Sequence, residues 1–185
     1  MGKPAQETTL DGLDERSTAV ATRSVIVATS IPAFHVSDPS KVEGRGDVFI
    51  ASRVDAVSSG VFSTKVSVHF DPAVDDYPTG AVLIKADLSD SVRTTFTATS
   101  VELINSYGKH NPTVYLTGRC TTDAPAGAAP LKGLRYWLMI ANNKSGANAQ
   151  GTPDIVGFAV HDRNGNRVAY GTGPLKSGDF VVAPK

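Results

Sequence analysis

The side chains best suited to bind a metal ion lie in two segments rich in turn residues. Asp75 and Asp76 stand between two prolines, and Asp162 and Asn164 belong to the Asp-Arg-Asn-Gly-Asn sequence at 162–166. Calcium favours carboxylate and amide oxygens in loops of this kind. However, the second segment lacks the spacing and the closing glutamate of an EF-hand loop, and tight turns favour Asp and Asn in any case. Calcium is therefore the one cofactor that the sequence leaves open, and turn formation is the simpler explanation.

The single cysteine, Cys120, follows Arg119, and an adjacent cation can lower a thiol pKa and make the thiol more reactive. Cys120 nevertheless shares a period-two face with Val114 and Leu116, which predicts a buried structural thiol. The chain has no Gly-x-Ser-x-Gly elbow and no glycine-rich phosphate loop ahead of a helical pattern. The sequence therefore indicates no catalytic residues and favours a protein that is not an enzyme.

Aromatic and charged side chains on the predicted strands are the candidates for binding a ligand or partner: Tyr115, Trp137, Tyr170, Arg119 and His161. The aromatic rings could stack on sugars if they share an exposed face, and packing in the core is their competing role. Tyr136 and Trp137 are neighbours on one strand and point in opposite directions, so at most one of them joins a given face.

β-Strands must position these side chains, because apolar residues after residue 45 recur mainly with a period of two. In Val61–Phe70, for example, Phe62, Val66 and Val68 alternate with polar residues. The Asn-Gly pair within 162–166 favours positive φ at both turn positions and predicts a β-hairpin. About nine or ten short strands follow from the turn signals. The predicted fold is all-β and antiparallel, and a β-sandwich, a jelly roll and a closed barrel all fit.

Glycine and proline set the expected strand limits. We expect a short first strand opened by Gly46, one strand over Thr94–Ile104, and two separate strands at Arg167–Tyr170 and Phe180–Val182. Leu134–Ala141 differs from the others because it is apolar on both faces. That pattern predicts either a central strand covered on both sides or a strand with one face in an interface.

Composition limits the organisation and the partners. Residues 1–40 are predicted to form an extended, loosely ordered N-terminal arm, and residues 41–185 a single β domain. The 18 basic and 18 acidic residues balance, so no net field attracts nucleic acid or an anionic membrane. No apolar stretch approaches the ~20 residues of a membrane helix, which argues against membrane insertion. No signal peptide is visible in the sequence.

Spacing and residue class over roughly residues 80–182 resemble the post-choice-of-anchor (post-COAP) type of β domain found in secreted bacterial proteins. The segments that carry the likeness are Thr95-Phe96, Val101–Leu103, Leu116–Gly118, Asp154–Phe158, the turn at 162–166, Val168–Tyr170 and Gly178–Val181. The polar arm and the long loop at 142–151 depart from that pattern. The resemblance implies an extracellular β domain attached to or released from bacterial surfaces, with no catalytic residues to carry over.

Three hypotheses for function follow. The first is a non-enzymatic extracellular or surface binding or adhesion module whose partner is a glycan or a protein surface. The second is a self-assembling structural subunit, such as a viral coat, decoration or filament protein, which would use its N-terminal arm to reach copies of itself on a virion. The third is a small β-barrel enzyme with a ligand pocket, because such a pocket needs few polar groups.

Overall fold

The computed structural model of the chain describes residues 39–52, 58–108, 111–123, 129–143 and 152–183. In this part of the chain there are nine β-strands and no helix: β1 Ser40–Ile50, β2 Gly60–Phe70, β3 Thr79–Leu88, β4 Thr94–Ala98, β5 Leu103–Tyr107, β6 Thr113–Thr122, β7 Leu134–Ala141, β8 Ile155–His161 and β9 Arg167–Ala183. Contacts divide the chain into two units, Met1–His35 and Val36–Lys185, and every described residue belongs to the second. The predicted arm lies outside the described residues apart from its last two. No helix in the described ranges has the length and hydropathy needed to cross a membrane.

All neighbouring strands are antiparallel, and the sheet closes on itself. The strand order is β4-β3-β2-β1-β9-β8-β7-β6-β5, and an additional pairing of β4 with β6 completes a ring of eight strands. β5 pairs with the other half of the same edge of β6 and forms a ninth, outer strand. The all-β, antiparallel prediction is confirmed, and of the three architectures that fit the sequence the structure shows a closed barrel.

Apolar side chains at alternate positions point into the barrel and fill it. Phe62 and Phe158 meet edge to face across the interior, with ring centroids 4.9 Å apart. Tyr136, Phe96 and Phe180 are each 1% exposed. Burial of a large apolar side chain contributes roughly 1.5–3 kcal/mol, so this interior accounts for much of the folding free energy.

The longest strand, β9, links two parts of the barrel. Its first half pairs with β8, and its second half pairs with β1 after a bulge at Lys176, which lies between the pairs Val48↔Leu175 and Asp47↔Ser177. The two predicted strands at Arg167–Tyr170 and Phe180–Val182 are thus one strand. The expected break was wrong because the glycines and the proline between them are accommodated within the ladder.

Two other expected strand limits were also wrong. β1 begins at Ser40 and runs through Gly46 instead of starting after it. The expected strand over Thr94–Ile104 is divided, because the chain bulges between β4 and β5. At this bulge the Tyr136 hydroxyl donates a hydrogen bond to the Ser100 carbonyl at 3.2 Å.

The hairpin predicted from the Asn-Gly pair is confirmed, but its turn differs from the expected one. Gly165 has φ of 83°, whereas Asn164 does not have positive φ. The Asp162 N–H donates a hydrogen bond to the Asn166 carbonyl at 2.9 Å, and the Gly165 N–H donates one to the Asp162 carbonyl at 3.2 Å. These features match a longer hairpin loop closed by a glycine bulge and not a two-residue turn with positive φ at both positions.

Candidate functional site

Part of the outer surface of β5 to β9 carries no charged side chain among the described residues. Strand pairing aligns its outward residues in three rows, with the rows running across the strands. We call this surface the uncharged face, and its residues are Leu103, Thr117, Trp137, Ala159 and Tyr170 in the first row, Asn105, Tyr115, Met139, Gly157 and Thr172 in the second, and Tyr107, Thr113, Ala141, Ile155 and Pro174 in the third.

The largest side chains of the uncharged face are well exposed. Trp137 is 50% exposed, Tyr107 50% and Tyr115 41%. If a second layer of this unit packed over the face, it would cover Trp137, which lies on the middle strand. The exposure of Trp137 indicates that no such layer is present in the described part of this unit. The two-faced apolar pattern of Leu134–Ala141 therefore has one side in the barrel interior and the other on this open face.

Two tyrosines form an ordered pair at one edge of the face. The rings of Tyr107 and Tyr115 are nearly parallel, with centroids 5.9 Å apart and an interplanar angle of 9°. The Tyr107 hydroxyl donates a hydrogen bond to that of Tyr115 at 3.5 Å. This hydrogen bond, together with partial desolvation, raises the pKa of Tyr107, which favours its neutral form. The pair presents a broad, uncharged aromatic surface.

A row of basic residues borders the uncharged face at one end of the strands. Arg119, Arg135, His161 and Arg167 occupy consecutive positions across β6 to β9. Glu102 bridges the first two, at 3.1 Å from the Arg119 Nε and 2.8 Å from an Arg135 Nη. We call these four residues the basic rim.

The structure places the five residues proposed as binding candidates on the outer side of β6 to β9. Tyr115, Trp137 and Tyr170 belong to the uncharged face, and Arg119 and His161 belong to its basic rim. Tyr136 points inward, as its opposite direction to Trp137 predicts. Sequence reasoning missed other members of the face, among them Tyr107, Leu103, Met139 and Ile155. The alternation within β7 indicated Met139, whereas the pairing of β5 with β6 had no signal in the sequence.

The calcium candidates lie in turns whose carboxylates already bind the backbone. Asp75 accepts a hydrogen bond from the Asp71 N–H at 2.8 Å, and Asp76 follows it in the loop between β2 and β3. Asp162 accepts hydrogen bonds from the Asn164 and Asn166 N–H groups and from the Asn166 side chain. Within the described ranges, no three His, Cys, Asp or Glu side chains come together as metal ligands. Calcium binding stays an untested prediction.

Burial, and not the neighbouring arginine, determines the pKa of the Cys120 thiol. The thiol is 1% exposed and points into the barrel, whereas Arg119 points outward. Desolvation raises the pKa of Cys120 from 9.0 to about 11. The prediction of a buried thiol is thus confirmed. Burial, followed by the nearby Cys120 and Glu102, also raises the pKa of Tyr136.

A second surface feature is an open groove of about 480 Å³ on the outside of β1, β2 and β9. Its walls include Arg45, Asp47, Lys65 and Ser177. Asp47 accepts a hydrogen bond from the Ser177 hydroxyl at 2.8 Å, and hydrogen bonds from Ser63 and Ser177 lower the pKa of Asp47. The polar groups of this groove thus interact with each other, which makes it a weaker candidate than the uncharged face.

Comparison of the chain with protein-family models, with curated proteins and with solved structures gives no match. The site therefore has to be interpreted from its own geometry. That geometry is an open, uncharged surface of aromatic and aliphatic side chains, bordered by arginines.

Proposed function

We propose that this chain is a non-enzymatic binding module that contacts its partner through the uncharged face. The observation that carries the proposal is the absence of charge over three rows of five strands, the first of which contains the half-exposed Trp137. Interface centres are depleted of charge and enriched in Trp, Tyr and Met, with Arg also favoured. The uncharged face and its basic rim have this distribution.

The packed interior also supports a binding module over an enzyme. A barrel enzyme of the kind hypothesised from the sequence has its substrate pocket inside the barrel, where it would replace side chains of the interior. Here large rings such as Phe62, Phe158 and Tyr136 fill that space. The location that accompanies the proposal is extracellular, as the likeness to post-COAP domains implies, or virion-associated if the partner is another copy of the chain.

Comparison of two alanine variants tests the proposal. Trp137 and Phe49 are similarly exposed, at 50% and 54%, but Phe49 lies on β1, outside the uncharged face. Binding is measured as retention on insoluble cellulose, chitin and peptidoglycan, and self-association is measured by light scattering. We expect Trp137→Ala to reduce whichever activity the wild type shows by at least about tenfold, and Phe49→Ala to leave it unchanged. Equal behaviour of the two variants in every assay would contradict the proposal.

A further inference from the structure

Tyr107 and Tyr115 are the one exposed pair of aromatic rings in contact among the described residues, since the other ring pair, Phe62 and Phe158, lies inside the barrel. Tyr107 belongs to the outer strand β5 and Tyr115 to β6. They are diagonal neighbours across the two strands, because Tyr107 pairs with Thr113. Their side chains are 50% and 41% exposed, so a reagent in solution reaches both rings.

The geometry of this pair suits a reaction between the two rings. Oxidative coupling of two tyrosines joins the ring carbons that lie ortho to the hydroxyl groups. Each ortho carbon is bonded to the carbon that bears the hydroxyl, so a short distance between the hydroxyls brings the reacting carbons close together. Here the two hydroxyl oxygens are 3.5 Å apart and the rings are inclined by only 9°. Because both side chains are partly exposed, they have room for the rotation that bond formation requires.

We propose that Tyr107 and Tyr115 form an oxidative cross-linking site, at which a one-electron oxidant such as a haem peroxidase with hydrogen peroxide couples them into dityrosine. Each tyrosine loses one electron and its hydroxyl proton and becomes a phenoxyl radical. The two radicals combine through a carbon–carbon bond between ortho carbons, and the ortho hydrogens return as protons to the phenol oxygens. The chain loses two hydrogen atoms in all, and one peroxide is reduced to two water molecules. The inference uses two residues of the uncharged face and does not depend on that face binding a partner.

The other three of the five tyrosines are not placed for this reaction. Tyr136 is 1% exposed and donates its hydroxyl hydrogen bond to the Ser100 carbonyl. The Arg167 guanidinium lies 5.4 Å from the centroid of the Tyr170 ring, where its positive charge opposes removal of an electron. Tyr77 is 75% exposed but has no ring contact among the described residues, so its radical has to meet another molecule in order to couple.

The cross-link would attach the outer strand to the barrel permanently. In the described part of the chain β5 pairs with β6 alone, through the five residues Leu103–Tyr107. Its other edge has side-chain contacts instead, such as the hydrogen bond that the Ser106 hydroxyl donates to the Ser40 hydroxyl at 2.9 Å. A short strand paired along one edge opens locally more easily than a strand paired on both sides. A carbon–carbon bond at the end of β5 would prevent its separation from β6.

The test treats the purified full-length chain with a haem peroxidase and an equimolar amount of hydrogen peroxide. Dityrosine is detected by its blue fluorescence and by peptide mapping, and a denaturing gel separates chains cross-linked internally from chains cross-linked to each other. Tyr107→Phe and Tyr115→Phe each remove one reacting phenol and keep the ring. Tyr77→Phe is the matched control, because it removes a more exposed tyrosine that has no such partner. Circular dichroism verifies that all the variants fold.

At about 10 µM protein we expect the wild type and Tyr77→Phe to form dityrosine within single chains, and Tyr107→Phe and Tyr115→Phe to form at least about tenfold less, because the two strands hold the rings at a millimolar effective concentration. An undiminished yield in Tyr107→Phe or Tyr115→Phe, or dityrosine found only between chains, would overturn the inference. So would a wild type that forms none under conditions in which free tyrosine couples. Trp137→Ala should keep the cross-link whether or not it loses partner binding, so that failure of this inference and failure of the proposed function are separate results.

Discussion

The barrel has two outer surfaces that share one core and differ in charge. On β1 the outward positions alternate cations and anions, and β2 and β3 add three more charged residues. This charged face contains Lys41, Glu43, Arg45, Asp47, Lys65, Lys85 and Asp87. On β5 to β9 the three rows of the uncharged face contain none. Charged side chains are well hydrated, so a charged sheet surface remains exposed to water at little cost in free energy. Exposed aromatic rings differ, because covering them with a partner lowers the free energy.

Ion pairs on the charged face contribute little to folding. Lys41 and Glu43 lie 3.0 Å apart, but both side chains are more than 50% exposed. Exposed pairs of this kind contribute roughly 0–1 kcal/mol. The difference between the two faces therefore concerns what each can bind and not how much each stabilises the barrel.

The buried side chain of Asp154 lies where the uncharged face meets the charged face. Asp154 precedes β8 and is 0% exposed. Its carboxylate accepts hydrogen bonds from the Asn143 N–H at 3.0 Å and the Phe180 N–H at 3.1 Å. Its carbonyl accepts another from the Leu175 N–H at 2.8 Å. Because β9 passes from β8 to β1 between Leu175 and Phe180, Asp154 fixes the place where the uncharged face ends.

Replacing this carboxylate gives the largest expected effect. We expect Asp154→Ala to lower the free energy of unfolding by about 4 kcal/mol, because the hydrogen bonds from the Asn143 and Phe180 N–H groups to its carboxyl group are lost and the buried Phe180 N–H is left unpaired. Urea denaturation measures the change. Trp137 fluorescence reports on the uncharged face and far-UV circular dichroism on the whole barrel, so coincident transitions would show that the two faces unfold together. A loss below about 1.5 kcal/mol would mean that Asp154 does not hold this junction.

The second prediction concerns the difference between the faces directly. We expect Trp137→Ala to raise the Kd for whichever partner the wild type binds by about 30-fold, equivalent to about 2 kcal/mol, since buried tryptophans are frequent hot spots. Phe49→Ala serves as the matched control, because Phe49 is equally exposed but lies on the charged side, where Lys176 approaches its ring at 5.5 Å. Both Kd values are measured with the same partner and by the same binding assay. A similar change in both variants would remove the distinction between the faces.

Alternation predicted the barrel interior better than glycine and proline predicted the strand limits. Phe62, Val66 and Val68 are all buried, as their period-two spacing indicated. Gly171 shows why a strand break was wrong. It faces the interior, where an added Cβ would lie about 3 Å from Phe62 and Phe158. The glycine leaves room for large rings inside the barrel, and a local sequence rule cannot distinguish that role from a turn.

The candidate site was predictable as a set of residue types and not as a surface. Tyr115, Trp137 and Tyr170 were identifiable as strand aromatics, but exposure depends on which faces close into the barrel. Tyr136 was equally plausible as a binding residue until its inward direction was fixed by pairing with Gly118. Rows across strands exist only after the register is set, and register between distant strands comes from packing that no short segment encodes.

The third prediction concerns two neighbouring residues on opposite sides of β6: Cys120, which points into the barrel, and Arg119, which belongs to the basic rim. The pKa of Cys120 is raised from 9.0 to about 11 by burial, so the folded state favours the neutral thiol. This contribution to stability is complete below the unfolded pKa and is lost as the pH rises from 9.0 to about 11. We expect the unfolding free energy to fall by roughly 2 kcal/mol over this range, and Cys120→Ala to reduce the fall. Wild type and Arg119→Gln should react equally slowly with a disulfide reagent at mildly alkaline pH, and faster labelling of the wild type would show that the arginine activates the thiol.

The smallest expected effect lies in the turn between β8 and β9, beside the basic rim. Hydrogen bonds from Asn166 and Asn164 lower the pKa of Asp162 below its ordinary value of 3.8. A lowered carboxyl pKa stabilises the fold above that ordinary value, and this contribution is lost as the pH falls through the folded-state value. We expect Asp162→Asn to lower the Tm slightly near neutral pH and to match the wild type in strong acid. Asp75→Asn, in the turn between β2 and β3, provides the control on the charged side. If the Tm difference between Asp162→Asn and the wild type persisted unchanged in acid, the introduced amide and not the lost charge would be its cause. The stability of the turn would then not depend on ionisation of Asp162.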